Sequence, residues 1–158
     1  MDMERLNLPT YSFSIKEVDQ KKYIFDKLRK RYVLITPEEW VRQHFINYLV
    51  EDKHYPAGLI SVERGFDLYK TKKRSDILIF NSLGKPWVLV ECKAPSIKVN
   101  DLWFDQAFAY NLSIKATYIM LSNGFNHFCM MVNLDGKGVK FLKEIPDFTE
   151  LIYPNELV

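Results

Sequence analysis

Between Arg74 and Ala94 the chain holds two apolar, strand-length runs. They read Arg-Ser-Asp-Ile-Leu-Ile-Phe-Asn and Pro-Trp-Val-Leu-Val-Glu-Cys-Lys-Ala, and Ser82-Leu83-Gly84-Lys85 joins them. A short polar loop between such runs predicts a β-hairpin. If Asn81 faces Pro86 across the loop, Asp76 lies directly opposite Glu91. Directly opposed residues of an antiparallel pair point to one face, with Cβ atoms ~4.5–5.5 Å apart. Lys93, two residues beyond Glu91, shares that face by strand alternation. Ile77, Ile79, Val88, Val90 and Cys92 collect on the other face as core. A slip of one residue would undo the pairing, so the register carries the whole inference.

The surrounding pattern places this hairpin in an α/β fold. Tyr11–Val18 and Tyr32–Ile35 read as extended, with the basic stretch Lys27–Arg31 between them. Thr36-Pro37-Glu38-Glu39 opens a helix, with Thr as N-cap, Pro at the first helical position and Glu three residues after the cap. Val41, Phe45, Tyr48 and Leu49 form its apolar face, which fades near Glu51–Lys53. Leu59–Tyr69 is a strand candidate interrupted at Gly65. After the hairpin, Asn100 or Asp101 caps a second helix running to about Leu112. Thr117–Leu121, His127–Leu134 and Val139–Leu142 are strands, the last two flanking Asp135–Gly138, and a short helix lies around Phe148–Ile152. Strand runs with a helix on either side predict a mixed central sheet flanked by helices, in the order α-β-β-β-α-β, with extra N- and C-terminal strands.

Composition sets outer bounds. At 158 residues and 47% hydrophobic, the chain is expected to form one domain with a sizeable core. Residues 36–125 would be its core, with 1–35 and 126–158 as extensions of the same domain. The longest apolar runs, such as Phe128–Val132, fall far short of the ~18 residues of a membrane span. Met1–Arg5 has no apolar signal region, and Cys92 and Cys129 are isolated in strand-like runs. Free thiols and a cytoplasmic location are therefore expected. A net charge of +2 permits a nucleic-acid partner without demanding one.

Two opposed carboxylates repel unless a positive charge sits between them. Oxygen ligands on adjacent strands suit a hard divalent cation that also takes phosphate oxygens, such as Mg²⁺, with Mn²⁺ as the alternative. An adjacent lysine can orient an attacking water or stabilise charge developing on phosphorus. Together these are the minimum for metal-assisted phosphodiester hydrolysis. Surface ion pairing is the competing explanation, but Glu91 and Lys93 interrupt a strongly apolar strand, where charges need partners or a task. Arg74, with Lys70–Lys73 just before the Asp76 strand, forms a basic lip that could hold phosphate or simply be solvated. His44, His54 and His127 have no triad-like or metal-like spacing. No Gly-x-x-x-x-Gly-Lys-Ser/Thr phosphate loop occurs.

With Asp76 followed by Glu91-Cys92-Lys93, the sequence resembles the PD-(D/E)xK nuclease superfamily. It is most similar to the N-terminal nuclease domain of type I restriction enzyme R subunits, through Thr36–Gln43 and Arg74-Ser75-Asp76. Ser75 stands where the eponymous Pro would be. The resemblance spans roughly residues 25–125 and implies a restriction-endonuclease-like core acting on DNA. It implies Asp76, Glu91 and the Cys92 backbone carbonyl as metal ligands, and Lys93 as the residue orienting water.

It also implies a helix-borne acid near the metal. Glu38 shares the inward face of Val41 and Phe45, whereas Glu39 lies to the side with Gln43, where a capping-box role would account for it. Gln106 and Tyr110, one helical turn apart, resemble the Gln-x-x-x-Tyr element of helicase-linked nucleases and would contact substrate. The alternative is a core Tyr110 and a surface Gln106. Further expectations are no membrane association, and a homodimer or a separate specificity or motor partner. A non-catalytic DNA-binding or assembly module of the same fold and an RNA-processing nuclease are the competing functions.

Overall fold

The computed structural model describes residues 3–68, 71–133, 135 and 137–152, with the backbone alone for 64–68 and 71–75. Its elements in chain order are β1 (Ile15–Val18), β2 (Lys21–Asp26), β3 (Arg31–Leu34), α1 (Pro37–Asn47), β4 (Ile60–Leu68), β5 (Thr71–Phe80), β6 (Pro86–Cys92), α2 (Asp101–Ile114), β7 (Tyr118–Ser122), β8 (His127–Val132) and β9 (Val139–Phe141). Strands β4 to β9 form one sheet in sequential order, antiparallel throughout except for β6 beside β7, whose parallel pairing is bridged by α2. The α-β-β-β-α-β order and mixed sheet are those of a restriction-endonuclease-like α/β core. Strands β1, β2 and β3 form a separate antiparallel meander.

Period-two alternation assigns the two faces of the central sheet. Ile77, Ile79, Val88, Val90, Cys92, Tyr118 and Met120 pack with Val41, Phe45 and Leu49 of the α1 segment. Ile119, Leu121 and Met130 meet Trp103 and Ala107 of α2 on the opposite side. Both helices begin where expected. Thr36 Oγ1 accepts from the Glu39 amide at 3.0 Å, and Asn100 Oδ1 from the Trp103 amide at 3.1 Å. α1 loosens into a π turn over Tyr48–Asp52, matching the expected fading. Cys92 and Cys129 are buried free thiols. Among the described residues no helix is long and apolar enough to cross a membrane.

The hairpin register needs one correction. Phe80, not Asn81, pairs with Pro86, while Ile79↔Val88, Leu78↔Leu89 and Ile77↔Val90 keep the expected pairing, so Trp87 is an extra residue in a bulge. The cause is local. Asn81 Oδ1 accepts the amides of Leu83 at 2.9 Å and Lys85 at 3.0 Å, and Gly84 takes φ 75°, closing a tighter turn than four free residues would. The bulge absorbs the offset, and the next position inward still sets Asp76 beside Glu91.

Three other expectations shift. β2 lies where no strand was expected, because its alternation is masked by lysines at its start. β4 runs through Gly65, which pairs with Arg74, and is not interrupted there. The closing helix is only a 3₁₀ turn, Phe148–Glu150, fixed by a capping box from Asp147.

Candidate active site

The site lies where β5 and β6 part at the end of their ladder. Asp76 turns both oxygens inward. Oδ2 accepts the Cys92 amide at 2.6 Å, and Oδ1 accepts Arg42 Nη2 at 2.8 Å. Glu91 is buried, with 6% of its surface exposed. Its pKa is driven well above the usual carboxylate range, first by burial, then by the Asp76 charge and a carboxyl–carboxyl hydrogen bond with Asp76; Lys93 opposes the shift. Among the described residues no donor reaches the buried Glu91 Oε1. Lys93 is half-buried with its amide bonded to the Ser122 carbonyl at 2.9 Å, and its charge acts on both Glu91 and Glu38.

The two glutamates at the start of α1 take different roles. Glu38 stays partly open, its side chain 43% exposed, and pairs with Arg42 Nη2 at 3.0 Å. Its pKa is raised by burial and by Asp76, so it lies on the site side of the helix. Glu39 makes no capping box. Its side chain is buried and bonds Arg29, Arg42 and Gln43, so only its backbone amide serves the cap. The helical face argument sets Glu38 inward and Glu39 to the side, whereas the structure buries Glu39 and leaves Glu38 partly open.

Two residues absent from the sequence reading enter here. Arg42 reaches Glu38, Glu39, Glu63 and Asp76, a guanidinium standing among four carboxylates. Its spacing of four from Glu38 and three from Glu39 is the available signal, since such positions are neighbours on a helix. Glu63 lies across from Asp76, between the pairs Val62↔Ile77 and Arg64↔Ser75. Its φ of 53° is a left-handed conformation that costs a non-glycine residue about 1–3 kcal/mol. Gly65, two residues on, drew attention as a breaker and hid it.

On α2, Tyr110 is half-buried against Leu78, Leu89 and Ala116. Its pKa is raised by burial and then by the charges of Glu91 and Asp76, which puts the phenol on the side of the acid pair. Gln106, one turn earlier, is exposed. The Arg74 side chain lies outside the described residues.

The donor set can be tested against a divalent cation. Among the described residues no three His, Cys, Asp or Glu side chains converge as a preformed metal cage. Arg42 Nη2 bridges Glu38 and Asp76 instead, at 3.0 and 2.8 Å. What does fit is narrower: two hard oxygen donors from Asp76 and Glu91, one of them the orphaned Oε1, beside the backbone of Cys92. Oxygen donors in that number suit Mg²⁺, which keeps several waters and uses one or two carboxylates.

A mixed sheet with a parallel β-α-β crossover between two helices is a restriction-endonuclease-like architecture, and comparisons with known proteins agree on the fold. The profile of the family "Type I restriction enzyme R protein N terminus" matches residues 37–146, and the chain belongs to that family. A solved fragment assigned as an HsdR subunit of a type I restriction enzyme from Vibrio vulnificus YJ016 is similar in fold. It superposes with a TM-score of 0.53 at 18% sequence identity, over 72% of this chain and 24% of that one. This chain therefore spans about a quarter of the similar structure. No curated protein matches the sequence.

Proposed function

We propose that this chain is a divalent-metal-dependent nuclease of the PD-(D/E)xK type that hydrolyses DNA phosphodiester bonds. The observation that carries the reading is the Asp76–Glu91 pair, with a buried oxygen that no donor among the described residues reaches and Lys93 alongside. Asp76 has Arg42 and the Cys92 amide as partners, but a buried carboxyl oxygen without a donor is costly unless a cation completes it. Membership of an R protein N-terminal family supports a nuclease-related role.

Asp76 and Glu91, with the Cys92 carbonyl, would hold Mg²⁺ or Mn²⁺, and Glu38 would complete the set from the open side. A cation bound there would polarise the scissile phosphate and supply a water of lowered pKa. Lys93 would donate a hydrogen bond to that water and hold it in line with phosphorus, then offset the charge developing on the phosphate oxygens. Asp76 keeps its orientation through the Cys92 amide and Arg42, so its position does not depend on the metal. Tyr110 and Gln106 would contact the strand from α2. A homodimer, or a separate specificity or motor partner, would supply target choice.

The deciding experiment incubates purified protein with plasmid, linear single-stranded DNA and RNA, in Mg²⁺ or EDTA, beside a folded Lys93→Ala variant. DNA cleavage in Mg²⁺ alone, lost in Lys93→Ala, is expected. Full activity of a folded Lys93→Ala protein would remove Lys93 from the mechanism, and cleavage in EDTA would sink the metal assignment.

A further inference from the structure

The meander β1–β3 precedes the residues matched by the family profile, and its charge differs from that of the rest of the chain. Residues 15–34 carry seven Lys or Arg against three Asp or Glu, a net of +4, whereas the whole chain carries +2. One of those acids, Asp26, is buried and consumed by Arg29.

The register puts Ser14, Lys16, Tyr23, Phe25, Tyr32 and Leu34 on one face. Tyr32 and Leu34 are 38% and 43% exposed there. Phe25 packs edge-on against Tyr32 at 5.3 Å between ring centroids, and Lys16 Nζ rests 4.2 Å above the Tyr32 ring, setting a cation beside a half-exposed aromatic. The opposite face turns Ile24 inward, so the exposed one is the side left for a partner.

The meander is also held in a fixed position beside the acid pair. Asp26 accepts the Leu28 and Arg29 amides at 2.8 Å each, closing the β2–β3 turn, and Arg29 Nη1 reaches Glu63 at 3.0 Å. That turn presents Lys27 and Lys30 to solvent, with Arg31 directly after. A cavity of about 660 Å³ runs from Arg31, Tyr32 and Leu34 on the β3 edge to Glu38, Arg42 and Ala94, the residue after Lys93.

We infer that the meander is a platform for one strand of DNA, which it feeds along this cavity to Asp76 and Glu91. Tyr32 and Leu34 take bases, and Lys30 and Arg31 take phosphates. Aromatic faces interleaved with cations are how single strands are held, because unpaired bases expose their π faces and duplex bases do not. The inference rests on the nuclease reading for the strand's destination.

The test measures fluorescence anisotropy of a labelled single strand of about 20 nucleotides, its duplex and the RNA equivalent, in EDTA so that nothing is cut. Lys30→Ala with Arg31→Ala should weaken single-strand binding roughly tenfold and reduce the salt slope by about 1.4. Tyr32→Ala should lose roughly tenfold, and Tyr32→Phe almost nothing. Lys137→Ala with Lys140→Ala, on the β8–β9 side, is the control and should bind like wild type. Unchanged binding by the meander variants, an equal loss in the control, tighter duplex or RNA binding, or no nucleic-acid binding at all would each overturn the platform; the last would make the face a protein contact. Plasmid cleavage in Mg²⁺, run in parallel, separates the two proposals. Meander variants that bind and cut like wild type remove the platform and leave the nuclease, while binding through the meander with no cutting does the reverse.

Discussion

Along one side of α1, Asp26, Arg29, Glu39 and Gln43 form a cluster in which every carboxylate has donors. Asp26 takes two amides, the Arg29 Nε at 2.6 Å and the Gln43 amide at 2.9 Å, and Glu39 takes Arg29, Arg42 and Gln43. One residue further round the same helix, Glu38 and Arg42 face Asp76 and Glu91, where the accounts differ. Asp76 is satisfied, but Glu91 is more than nine-tenths buried beside it with an oxygen that no donor among the described residues reaches. Buried polar groups in proteins are nearly always paired, so a buried acid oxygen without a donor is informative. The first cluster shows that this chain can satisfy buried acids fully. Arg42 Nε and Trp103 Nε1 are also buried without a partner among the described residues, but Glu91 Oε1 is the carboxylate oxygen among the three. It marks a site that something else completes.

The largest expected effect breaks the matched cluster. Arg29→Met strips the main cation from Asp26 and Glu39 and leaves buried charge unpaired, a loss of about 3–5 kcal/mol by chemical denaturation. Its acid dependence can be signed. Burial works to raise the Asp26 pKa, but the Arg29 amide, the Arg29 guanidinium and Gln43 bring it below its usual value. A carboxylate with a depressed folded pKa contributes stability that is complete above the unfolded value and lost as pH falls through the folded one. Wild type should lose part of its stability below about pH 4, and Asp26→Asn should be less stable but flatter through that range. A melting-temperature series in which Asp26→Asn parallels wild type would show that Asp26 is not the group responsible.

A smaller and opposite effect is expected at the unmatched cluster. Glu91→Gln removes like-charge repulsion with Asp76 and should raise metal-free stability by on the order of 1 kcal/mol. The same change should erase most of the melting-temperature rise that Mg²⁺ gives wild type, since that rise scales with metal affinity. Calorimetry is the direct check. A variant that is destabilised in EDTA, or that binds Mg²⁺ as wild type does, would place Glu91 with Asp26 as a structural acid.

Much of this contrast was legible in the sequence, for unequal reasons. The helix start at Thr36, the core alternation of Ile77, Ile79, Val88 and Val90, and the Asp76–Glu91 opposition are local patterns of period and loop length, and period survives small errors. The hairpin illustrates it: the pair nearest the loop differs from the expected one by a residue, yet the Trp87 bulge restores the inner register. The partners of the acids were not local. Arg29 comes from a turn in a three-stranded meander whose middle strand is masked by lysines, and Glu63 comes from a strand whose glycine suggests a break. Arg42 lay in plain view on α1, but its reach to Asp76, 34 positions away in sequence, is a fact of packing.

The smallest effect tests whether the two clusters are independent despite their shared helix. Thr36 Oγ1 caps α1 through the Glu39 amide at 3.0 Å, and the first turn it secures carries both Glu38 and Glu39. Thr36→Ala should cost about 1 kcal/mol of stability, the usual loss of a hydroxyl N-cap. Pro37 at the first helical position and the Arg29 and Arg42 contacts to Glu39 hold that turn by other means, so its side chains should keep their places. The Mg²⁺-dependent increment in melting temperature should then match that of wild type, the whole curve being displaced downward. If the increment shrinks along with stability, Glu38 depends on the cap for its position, and the two clusters are one cooperative unit joined through Arg42. Repeating the pair of melts in an Arg42→Lys background would locate that coupling, because a lysine keeps the charge but has no planar fork to hold Glu38, Glu39 and Asp76 together.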